Sequence, residues 1–413
     1  MQPISESTSQ LQKLAGFMGL RKSIVGMLGM VILVGMGERM AERFLPLYLV
    51  ALGGGVFSVG LLNGLSNLLS ALYSFPGGYL SDRLGTKKAL LVFNLIAGFG
   101  FIIVIVIPAW QAVIIGAIFF LSWSAISLPA TMSLVAKVLP LNKRTMGVSM
   151  VSLVRRIPMA IGPVLGGVFI SIWGIELGIR LAFAAALVMA VLAIVLQQWL
   201  IEDDKKDHKA PAPEKSPIKL IRLMSPALKN LLISDILVRF CEQIPYAFVV
   251  LWCMEKINSP VSAWQFGVLT AIEMTTAALI YIPVAYFADK LGKKPFVIIT
   301  FIFFSLFPLS LLFCQSFTLL IPAFILRGLK EFGEPTRKAL IMDLAPEDRK
   351  AAMFGLYYLL RDIIVSVAAF GGAFLWYISP NVNFLTAFFF GIIGTVWFAF
   401  RGKDLSADTN NNV

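Results

Sequence analysis

The sequence predicts an all-α membrane protein with twelve transmembrane helices in two parallel, pseudo-symmetric six-helix bundles. Three observations support this fold class. The 413 residues are 58% hydrophobic and only 14% charged, with a mean hydropathy of +0.84, whereas soluble proteins contain nearer a quarter charged residues. Apolar runs of roughly 20 residues, each long enough to cross the hydrocarbon core as a helix, recur along the whole chain. A short charged turn also occurs twice, about half a chain apart, which indicates an internal repeat.

The apolar runs place the twelve helices, which we call spans 1 to 12. Spans 1 to 6 are predicted at 24–51, 56–80, 89–107, 110–137, 145–173 and 178–200. Spans 7 to 12 are predicted at 228–254, 261–288, 295–313, 317–341, 350–377 and 383–401.

The segment between spans 6 and 7 is polar. It is rich in Lys, Asp, Glu and Pro, and such a segment cannot bury enough apolar surface to fold alone. We therefore predict an N-terminal six-helix half over 1–200, a cytoplasmic linker over 201–227, a C-terminal six-helix half over 228–402 and a disordered cytoplasmic tail over 403–413.

The distribution of basic residues predicts the orientation. Alternate turns are basic, for example at 87–88, 143–144 and 293–294, whereas the opposite turns contain little beyond Arg180 and Lys256. The positive-inside rule then places both termini and the linker in the cytoplasm. This topology also explains the net charge of +12 better than nucleic-acid binding does. The N-terminal segment lacks the apolar region of a signal peptide, so we expect a multi-pass protein of the cytoplasmic (inner) membrane.

Several kinds of chemistry are not expected. The chain has no phosphate-binding loop, so it is not predicted to use ATP itself. His208 is the only histidine and lies in the polar linker, where we expect it to be solvated. Cys241, Cys253 and Cys314 lack metal-ligand spacing and are predicted to be packed thiols. We therefore predict no enzyme activity, no cofactor, no metal and no nucleic-acid partner.

The repeat extends through both halves. The turn GYLSDRLGTKK at 78–88 returns as AYFADKLGKK at 285–294, which places Asp82 and Asp289 207 residues apart. Other matched pairs have offsets of 205 to 207 residues: Pro76 with Pro283, Pro129 with Pro335, Pro140 with Pro346, Arg156 with Arg361, and Gly166-Gly167 with Gly371-Gly372. Each half contains six spans, so the two copies are parallel and related by an axis along the membrane normal.

The charged turn resembles the signature of the major facilitator superfamily of secondary transporters. In the first copy the matching residues are Gly78, Asp82, Arg83, Gly85, Lys87 and Lys88. The second copy retains Asp289, Lys290, Gly292, Lys293 and Lys294, with Ala285 in place of the first glycine. The twelve spans and central linker fit the same family, so the resemblance covers nearly the whole chain.

Two further motifs of that family are only partly present. The segment from Pro158 to Gly167 resembles the G-x-x-x-G-P-x-x-G-G motif of its antiporters, with Gly162, Pro163, Gly166 and Gly167 in place and Pro158 instead of the leading glycine. The arginine motif of the family's fourth helix is missing, and Arg327-Gly328 in span 10 resembles a displaced counterpart.

The resemblance implies gating roles for these motifs. The turns would close the cytoplasmic side, through Gly78, Asp82, Arg83, Gly85, Lys87, Lys88, Asp289, Lys290 and Gly292. Gly162, Pro163, Gly166 and Gly167 allow a bend and a close helix contact. Alternatively, the turns serve only to orient the chain in the membrane, and the glycines are ordinary packing residues.

Charged residues at mid-membrane depth are the candidates for substrate binding and proton coupling. They are Glu38, Arg39 and Glu42 in span 1, Arg156 in span 5, Arg239 and Glu242 in span 7, Lys330, Glu331 and Glu334 in span 10, and Arg361 and Asp362 in span 11. Each would cost roughly 2.5–3.5 kcal/mol against lipid, so we expect them to face one another or an aqueous cavity. Spans 3, 6, 9 and 12 contain almost no charges, and in the family these helices face lipid. Arg337, Lys338 and Asp343 are expected at the membrane interface.

Glu42 and Glu242 are our preferred proton carriers. Burial disfavours the charged form of a carboxylate, whereas a neighbouring arginine favours it, so such a group is suited to gain and lose a proton during the transport cycle. Arg39, Arg156, Arg239 and Arg361 would hold an anionic group or act on those carboxylates. The first hypothesis is a monomeric, proton-coupled exporter of a small organic solute that works by alternating access. The alternatives are a proton-linked importer or facilitator of an organic anion, a membrane sensor or scaffold without transport activity, and, for any single charge, an ion pair that only locks the halves.

Overall fold

A computed structural model of the chain describes residues 22–121, 123, 127, 131, 141–202, 221–346 and 350–403. The predicted tail, Pro129, Pro140 and most of the linker with His208 lie outside the described residues. In the two charged turns the backbone is described, but the side chains of Asp82, Arg83, Asp289 and Lys290 also lie outside the description.

Six helices precede the linker. α1 spans Lys22–Glu42 and resumes as Leu45–Ala51, α2 spans Gly55–Leu84, α3 spans Thr86–Val106, and α4 begins with Trp110–Phe120. α5 and α6 follow within Leu141–Leu200, a stretch that breaks at Gly174, where φ is +78°. A side chain at a positive φ is strained, so glycine permits this reversal between α5 and α6.

Six helices follow the linker. α7 spans Pro226–Gln243 and continues as Val249–Leu251 and the π-helical turn Trp252–Lys256, α8 spans Ala263–Leu291, and α9 spans Lys294–Phe313. α10 comprises Phe317–Leu329 and Glu334–Leu344, α11 spans Lys350–Ile378, and α12 spans Pro380–Arg401. At the starts of α7, α8 and α12, a serine side chain accepts a hydrogen bond from a backbone N–H group, as expected for N-caps. These serines are Ser225, Ser262 and Ser379.

The described helices confirm an all-α membrane fold of twelve transmembrane helices. Eight are long and apolar enough to cross a membrane, and one of these, Val154–Leu200, contains both α5 and α6. The two shorter apolar helices, Trp110–Phe120 and Phe317–Leu329, begin α4 and α10. α7 is absent from this apolar set because it contains Asp235, Arg239 and Glu242. The described residues contain no β-strand.

The repeat is visible in the backbone of the charged turns. Gly85 precedes α3 with φ of +84°, and Gly292 precedes α9 with φ of +87°. Both glycines therefore adopt the left-handed region at equivalent positions of the two halves, where any other residue would be strained. The same reversal is built twice, as the sequence repeat predicts.

The two halves contact each other mainly through two pairs of helices. We call the side on which α6 ends and α7 begins the linker side, and the opposite side the far side. α5 packs along α8 and α2 along α11. Phe57 in α2 stacks edge-on against Phe374 in α11, with ring centroids 5.1 Å apart, near the far side.

Large apolar side chains are exposed on α3, α6, α9 and α12, for example Phe99, Val191 and Phe389, which fits the predicted lipid-facing helices.

Candidate functional site

A cavity of about 50 Å³ lies between the two halves. Its polar lining consists of Glu42 and Arg43 from α1, Asn63 and Ser66 from α2, Tyr246 from the extension of α7, and Arg327 from α10. Leu62, Leu121 and Phe266 contribute apolar surface. The cavity is therefore a small amphipathic site inside the protein, at the boundary between the two six-helix bundles.

Two guanidinium groups contact one aromatic ring in this cavity. The guanidinium carbon of Arg43 lies 5.2 Å from the centroid of the Tyr246 ring, and that of Arg327 lies 5.8 Å from it. Arg327 also contacts the rings of Phe307 and Phe324 at 5.0 and 5.6 Å. Cation–π contacts of this kind hold arginine side chains in place without using their hydrogen-bond donors.

A second, smaller cavity adjoins the first inside the C-terminal half. It has a volume of about 10 Å³ and shares Tyr246 and Arg327 with the first cavity, so these side chains form the wall between the two. Glu242 and Lys330 line it, with Lys330 Nζ 2.7 Å from Glu242 Oε1. Arg239 Nη1 is 2.5 Å from the other oxygen of Glu242. Glu242 is thus held between two cations from α7 and α10.

Glu273 in α8 is a third buried carboxylate of this region. It has no exposed surface, and its Oε1 lies 3.3 Å from Arg327 Nε and 3.7 Å from Lys330 Nζ. Neither oxygen accepts a well-aligned hydrogen bond from the described residues. The charge of Glu273 is therefore balanced mainly by proximity to the two cations, and it lacks the hydrogen bonds that usually stabilise a buried carboxylate.

The linker side of the C-terminal half contains a second ionic cluster. Arg337 forms ion pairs with Asp235 and, at 2.7 Å, with Glu334, while Arg239 reaches Glu334 at 3.1 Å. Tyr357 donates to Asp235 at 3.0 Å. The Arg337 side chain is only 1% exposed, and its ion pairs with Asp235 and Glu334 hold it inside the bundle. Its location at the membrane interface stays a prediction.

The remaining charges expected in α10 and α11 form more local pairs. Lys338 is exposed and lies 3.5 Å from Glu334, and Asp343 pairs with Lys293 at the second charged turn. Arg361 and Asp362 are adjacent in sequence and pair with each other at 2.7 Å. The Arg361 guanidinium also stacks 4.2 Å from the Tyr358 ring centroid, and its Nη1 lies 3.5 Å from Asp235 of the ionic cluster. None of these residues lines the cavity between the halves.

The N-terminal half contributes fewer charges to the centre. Arg39 and Glu42 pair with each other on α1, as their spacing predicts. Glu38 is buried, and Arg155 is its electrostatic neighbour. Arg156 Nη2 lies 3.0 Å from Glu331 Oε2, which joins α5 to α10 across the two halves. Of the predicted charges, Glu42, Glu242 and Lys330 line the cavities, and Arg156 and Glu331 connect the halves.

The glycines of α5 lie at close helix contacts. A Cβ atom on Gly162 would crowd Arg39, and one on Gly166 would overlap the Met40 carbonyl oxygen of α1. A Cβ atom on Gly167 would overlap the Ala263 carbonyl oxygen of α8. Pro163 contacts Gly267 at the same crossing. The motif therefore allows α5 to approach both its own half and the opposite half, which is the packing role expected for small residues in membrane helices.

In the first charged turn, contacts with α6 are described. Lys87 Nζ donates to the Gln198 carbonyl oxygen at 3.1 Å, and Gln197 donates to the Lys87 carbonyl oxygen at 2.7 Å. Lys88 is exposed. The backbone of Gly78 is helical at the end of α2. A gating contact by Asp82 or Asp289 stays a prediction.

Three residues of the central site were not assigned a site role from the sequence, although Arg43 belongs to the mid-membrane charges of span 1. Arg43 and Arg327 were visible in the sequence, but only the fold shows that they contact Tyr246. Glu273 is the one acidic residue in the first 18 residues of α8. A single carboxylate in an otherwise apolar span must find a partner, and this cost could have identified it from the sequence.

The remaining predicted features are the cysteines and the potential metal ligands. Cys241, Cys253 and Cys314 are buried free thiols, as predicted. Among the described residues, no group of three or more His, Cys, Asp or Glu side chains could hold a metal ion.

Comparison with known proteins gives the family. The model described as Major Facilitator Superfamily matches residues 27–264 and 231–412. The chain therefore belongs to the Major Facilitator Superfamily, and it is a multi-pass membrane transporter rather than an enzyme. It is similar to an uncharacterized MFS-type transporter, MJ1317, of Methanocaldococcus jannaschii, with 23% identity over 361 residues, 85% of this chain and 87% of that protein.

Solved transporter structures share the fold. A peptide transporter POT in complex with sulfate has a TM-score of 0.76 at 14% identity, covering 92% of this chain and 94% of its own. A variant of the nucleoside transporter NupG has a TM-score of 0.77 at 13% identity, covering 92% and 100%. The human organic anion transporter MFSD10 has a TM-score of 0.65 at 15% identity, covering 91% and 98%. At these identities the likeness establishes the fold alone.

Proposed function

We propose that this transporter moves a small organic solute across the cytoplasmic membrane by alternating access and that proton movement drives transport. The observation that supports this proposal is the cavity between the halves, with the partly buried carboxylates Glu42 and Glu242 and the buried Glu273 in or beside it. Ionisable groups are costly in the membrane interior, and they usually mark a transport or proton pathway there.

Coupling requires carboxylates whose partners change during the cycle. Glu42 and Glu242 remain our candidates, because each is paired with arginine in this structure and each lines a cavity. Loss of these partners in the other facing state would favour the protonated carboxylate. A proton that crosses with the membrane potential releases about 2.3 kcal/mol per 100 mV, which can drive a solute gradient.

The proposed orientation follows from the basic turns. Both termini and the linker would lie in the cytoplasm, so the far side would face outward. The partners would be the solute, protons and membrane lipid, and the chain would act as a monomer. The gating role of the two charged turns belongs to the same proposal.

The direction of transport has two candidates. The motif from Gly162 to Gly167 supports proton-coupled export, because it resembles the motif of antiporters in this family. The second candidate, import of an organic anion together with protons, is favoured by Arg43 and Arg327 in the cavity between the halves. Both candidates require solute-dependent proton flux.

Proteoliposomes that contain a pH-sensitive dye test the proposal. A broad panel of organic solutes should include compounds that change internal pH only when the protein is present, and Glu42→Gln should abolish this flux. The variant Arg401→Gln, at the exposed end of α12, is the matched control and should behave as wild type. Folded protein that gives no flux with any solute would contradict coupled transport.

A further inference from the structure

The unusual feature of the central site is an arginine that forms no ion pair with the described residues. Arg39 pairs with Glu42, and Lys330 and Arg239 pair with Glu242. Arg43 makes no ion pair and no side-chain hydrogen bond to the described residues, and its contact is with the face of Tyr246. A guanidinium group carries five N–H donors in a planar fork that suits carboxylates and phosphates.

Arg327 lines the same cavity as Arg43 but has a weakly bound partner. Its Nε lies 3.3 Å from Glu273 Oε1, in a pair without a well-aligned hydrogen bond. Both arginines contact the Tyr246 ring, so they lie at the same part of the cavity wall. An oxyanion between the two arginines would compete directly with Glu273 for Arg327.

We infer that Arg43 and Arg327, which line the same cavity and both contact the Tyr246 ring, bind the carboxylate or a similar oxyanion of the transported solute, and that the displaced Glu273 takes up a proton. The inference rests on the proposed function, names its substrate class, and adds Glu273 to Glu42 and Glu242 as the carboxylate that takes up a proton when the solute binds. Leu62, Leu121 and Phe266 would contact the apolar part of the solute. Since anion and proton bind in the same state, they would cross the membrane together, as in the second candidate above.

The surroundings of Glu273 fit this exchange. It faces Arg327 and Lys330 from α10, Arg43 from α1 and Glu242 from α7. From α5, which also packs against α8, the residues at the crossing with Gly267 are Pro163 and Val164. When an anion occupies Arg43 and Arg327, Glu273 retains only Lys330 nearby, and Glu242 already shares that cation at 2.7 Å. Proton uptake then removes a buried negative charge that has lost its partner.

Binding to the purified full-length protein in detergent tests the inference without any transport step. The probes are matched pairs of acid and amide, benzoate with benzamide and hexanoate with hexanamide, and benzenesulfonate as an anion that stays ionised. Thermal stabilisation between pH 6 and 8 gives the apparent Kd. We expect the anions but not the amides to stabilise the wild type, with an affinity that falls by up to about tenfold per unit rise in pH, the limit for one linked proton.

Variants identify the residues. Arg43→Gln and Arg327→Gln should each weaken anion binding at least tenfold, and Arg43→Lys should bind with intermediate affinity, which guards against a folding defect in Arg43→Gln. Glu273→Gln should bind as tightly at pH 8 as the wild type does at pH 6, with no remaining pH dependence. Arg401→Gln should match the wild type.

The outcomes separate this inference from the proposed function. Equal stabilisation by acids and amides, no stabilisation by any anion, or unchanged affinity in Arg43→Lys and Arg43→Gln would overturn the anion site. A pH dependence that persists in Glu273→Gln would overturn the coupling role. Anion binding with these properties, but without proton flux in proteoliposomes, would support the site and contradict the proposed transport. Proton flux with a neutral solute, together with no anion binding, would support the proposed transport and contradict the anion site.

Discussion

At the scale of single residues, Glu242 is bound by two cations and Glu42 by one. Lys330 and Arg239 both contact Glu242, and its side chain is 11% exposed, whereas Glu42 is 18% exposed and pairs with Arg39 alone. Breaking a buried ion pair is expensive because it leaves an uncompensated charge in a low-dielectric environment. The two carboxylates should therefore differ in stability although both are proposed to act in coupling.

We predict that Glu242→Gln lowers the free energy of unfolding by about 3 kcal/mol, the usual cost of a broken buried pair. Glu42→Gln should cost less, about 1 kcal/mol or under, as for a partly exposed pair. Both variants should lose solute accumulation. Thermal unfolding in detergent measures the first effect, and uptake into proteoliposomes the second.

The double variant Glu242→Gln with Lys330→Gln is the matched control for that stability effect. Removing both charges restores the balance of charge, and it leaves Arg239 paired with Glu334 and Glu273 paired with Arg327, so the double variant should regain most of the lost stability. If the double variant unfolds as early as Glu242→Gln alone, the loss does not arise from the buried charge.

At the scale of helices, small residues determine how closely α5 approaches its neighbours. Gly166 faces the Met40 carbonyl oxygen so closely that no Cβ atom fits, whereas Gly371, its partner in the sequence repeat, has no atom within 4 Å of such a Cβ atom. The structural counterpart of Gly166 is Gly372, which meets the Ile244 carbonyl oxygen of α7. The repeat is thus offset by one residue in α11.

Gly166 and Gly371 provide a test variant and its matched control. Gly166→Ala should destabilise the protein by about 1–3 kcal/mol, because α5 must move away from α1. Gly371→Ala should be neutral or stabilising by up to about 1 kcal/mol, since alanine favours helix and meets no neighbour. Thermal unfolding of the two variants checks this, and equal effects would show that the α1–α5 contact does not depend on a glycine.

The helices themselves were predictable from the sequence, but their interruptions were not. Apolar runs identified every transmembrane helix because a membrane helix must be both long and apolar. The break of α1 between Glu42 and Leu45 and the irregular end of α7 after Gln243 bring Arg43 and Tyr246 to the cavity. Such local changes depend on tertiary contacts, which hydropathy does not report.

At the scale of the whole molecule, an ion pair between Arg156 of α5 and Glu331 of α10 connects the two halves. Their side chains are 23% and 20% exposed and 3.0 Å apart. A pair across a moving boundary must break or rearrange when the halves rock, so its strength affects the balance between the two facing states.

Charge exchange tests this role. Arg156→Glu and Glu331→Arg should each slow transport several-fold, because like charges then oppose each other across the halves, and the double variant should recover most of the rate. Solute exchange in proteoliposomes gives the rates. No recovery in the double variant would indicate that the two residues act separately.

The sequence also predicted the overall architecture, because a repeated charged turn, a polar linker and basic alternate turns are independent of tertiary detail. It located the mid-membrane charges but not their partners. Lys330 binds Glu242 and Glu331 binds Arg156, although the two are adjacent in the chain. Only the packing of α10 between α7, α8 and α5 separates their roles.

The most direct test of the account is the driving force for transport of the anion from the binding panel that gives the largest stabilisation. Proteoliposomes should receive either a pH gradient, acidic outside, or a membrane potential of 100 mV set by potassium and valinomycin. If one proton crosses with one monovalent anion, the cycle moves no net charge, so the pH gradient alone should drive accumulation and the potential alone should not. Accumulation driven by the potential without a pH gradient, or no response to either, would contradict coupled movement of anion and proton.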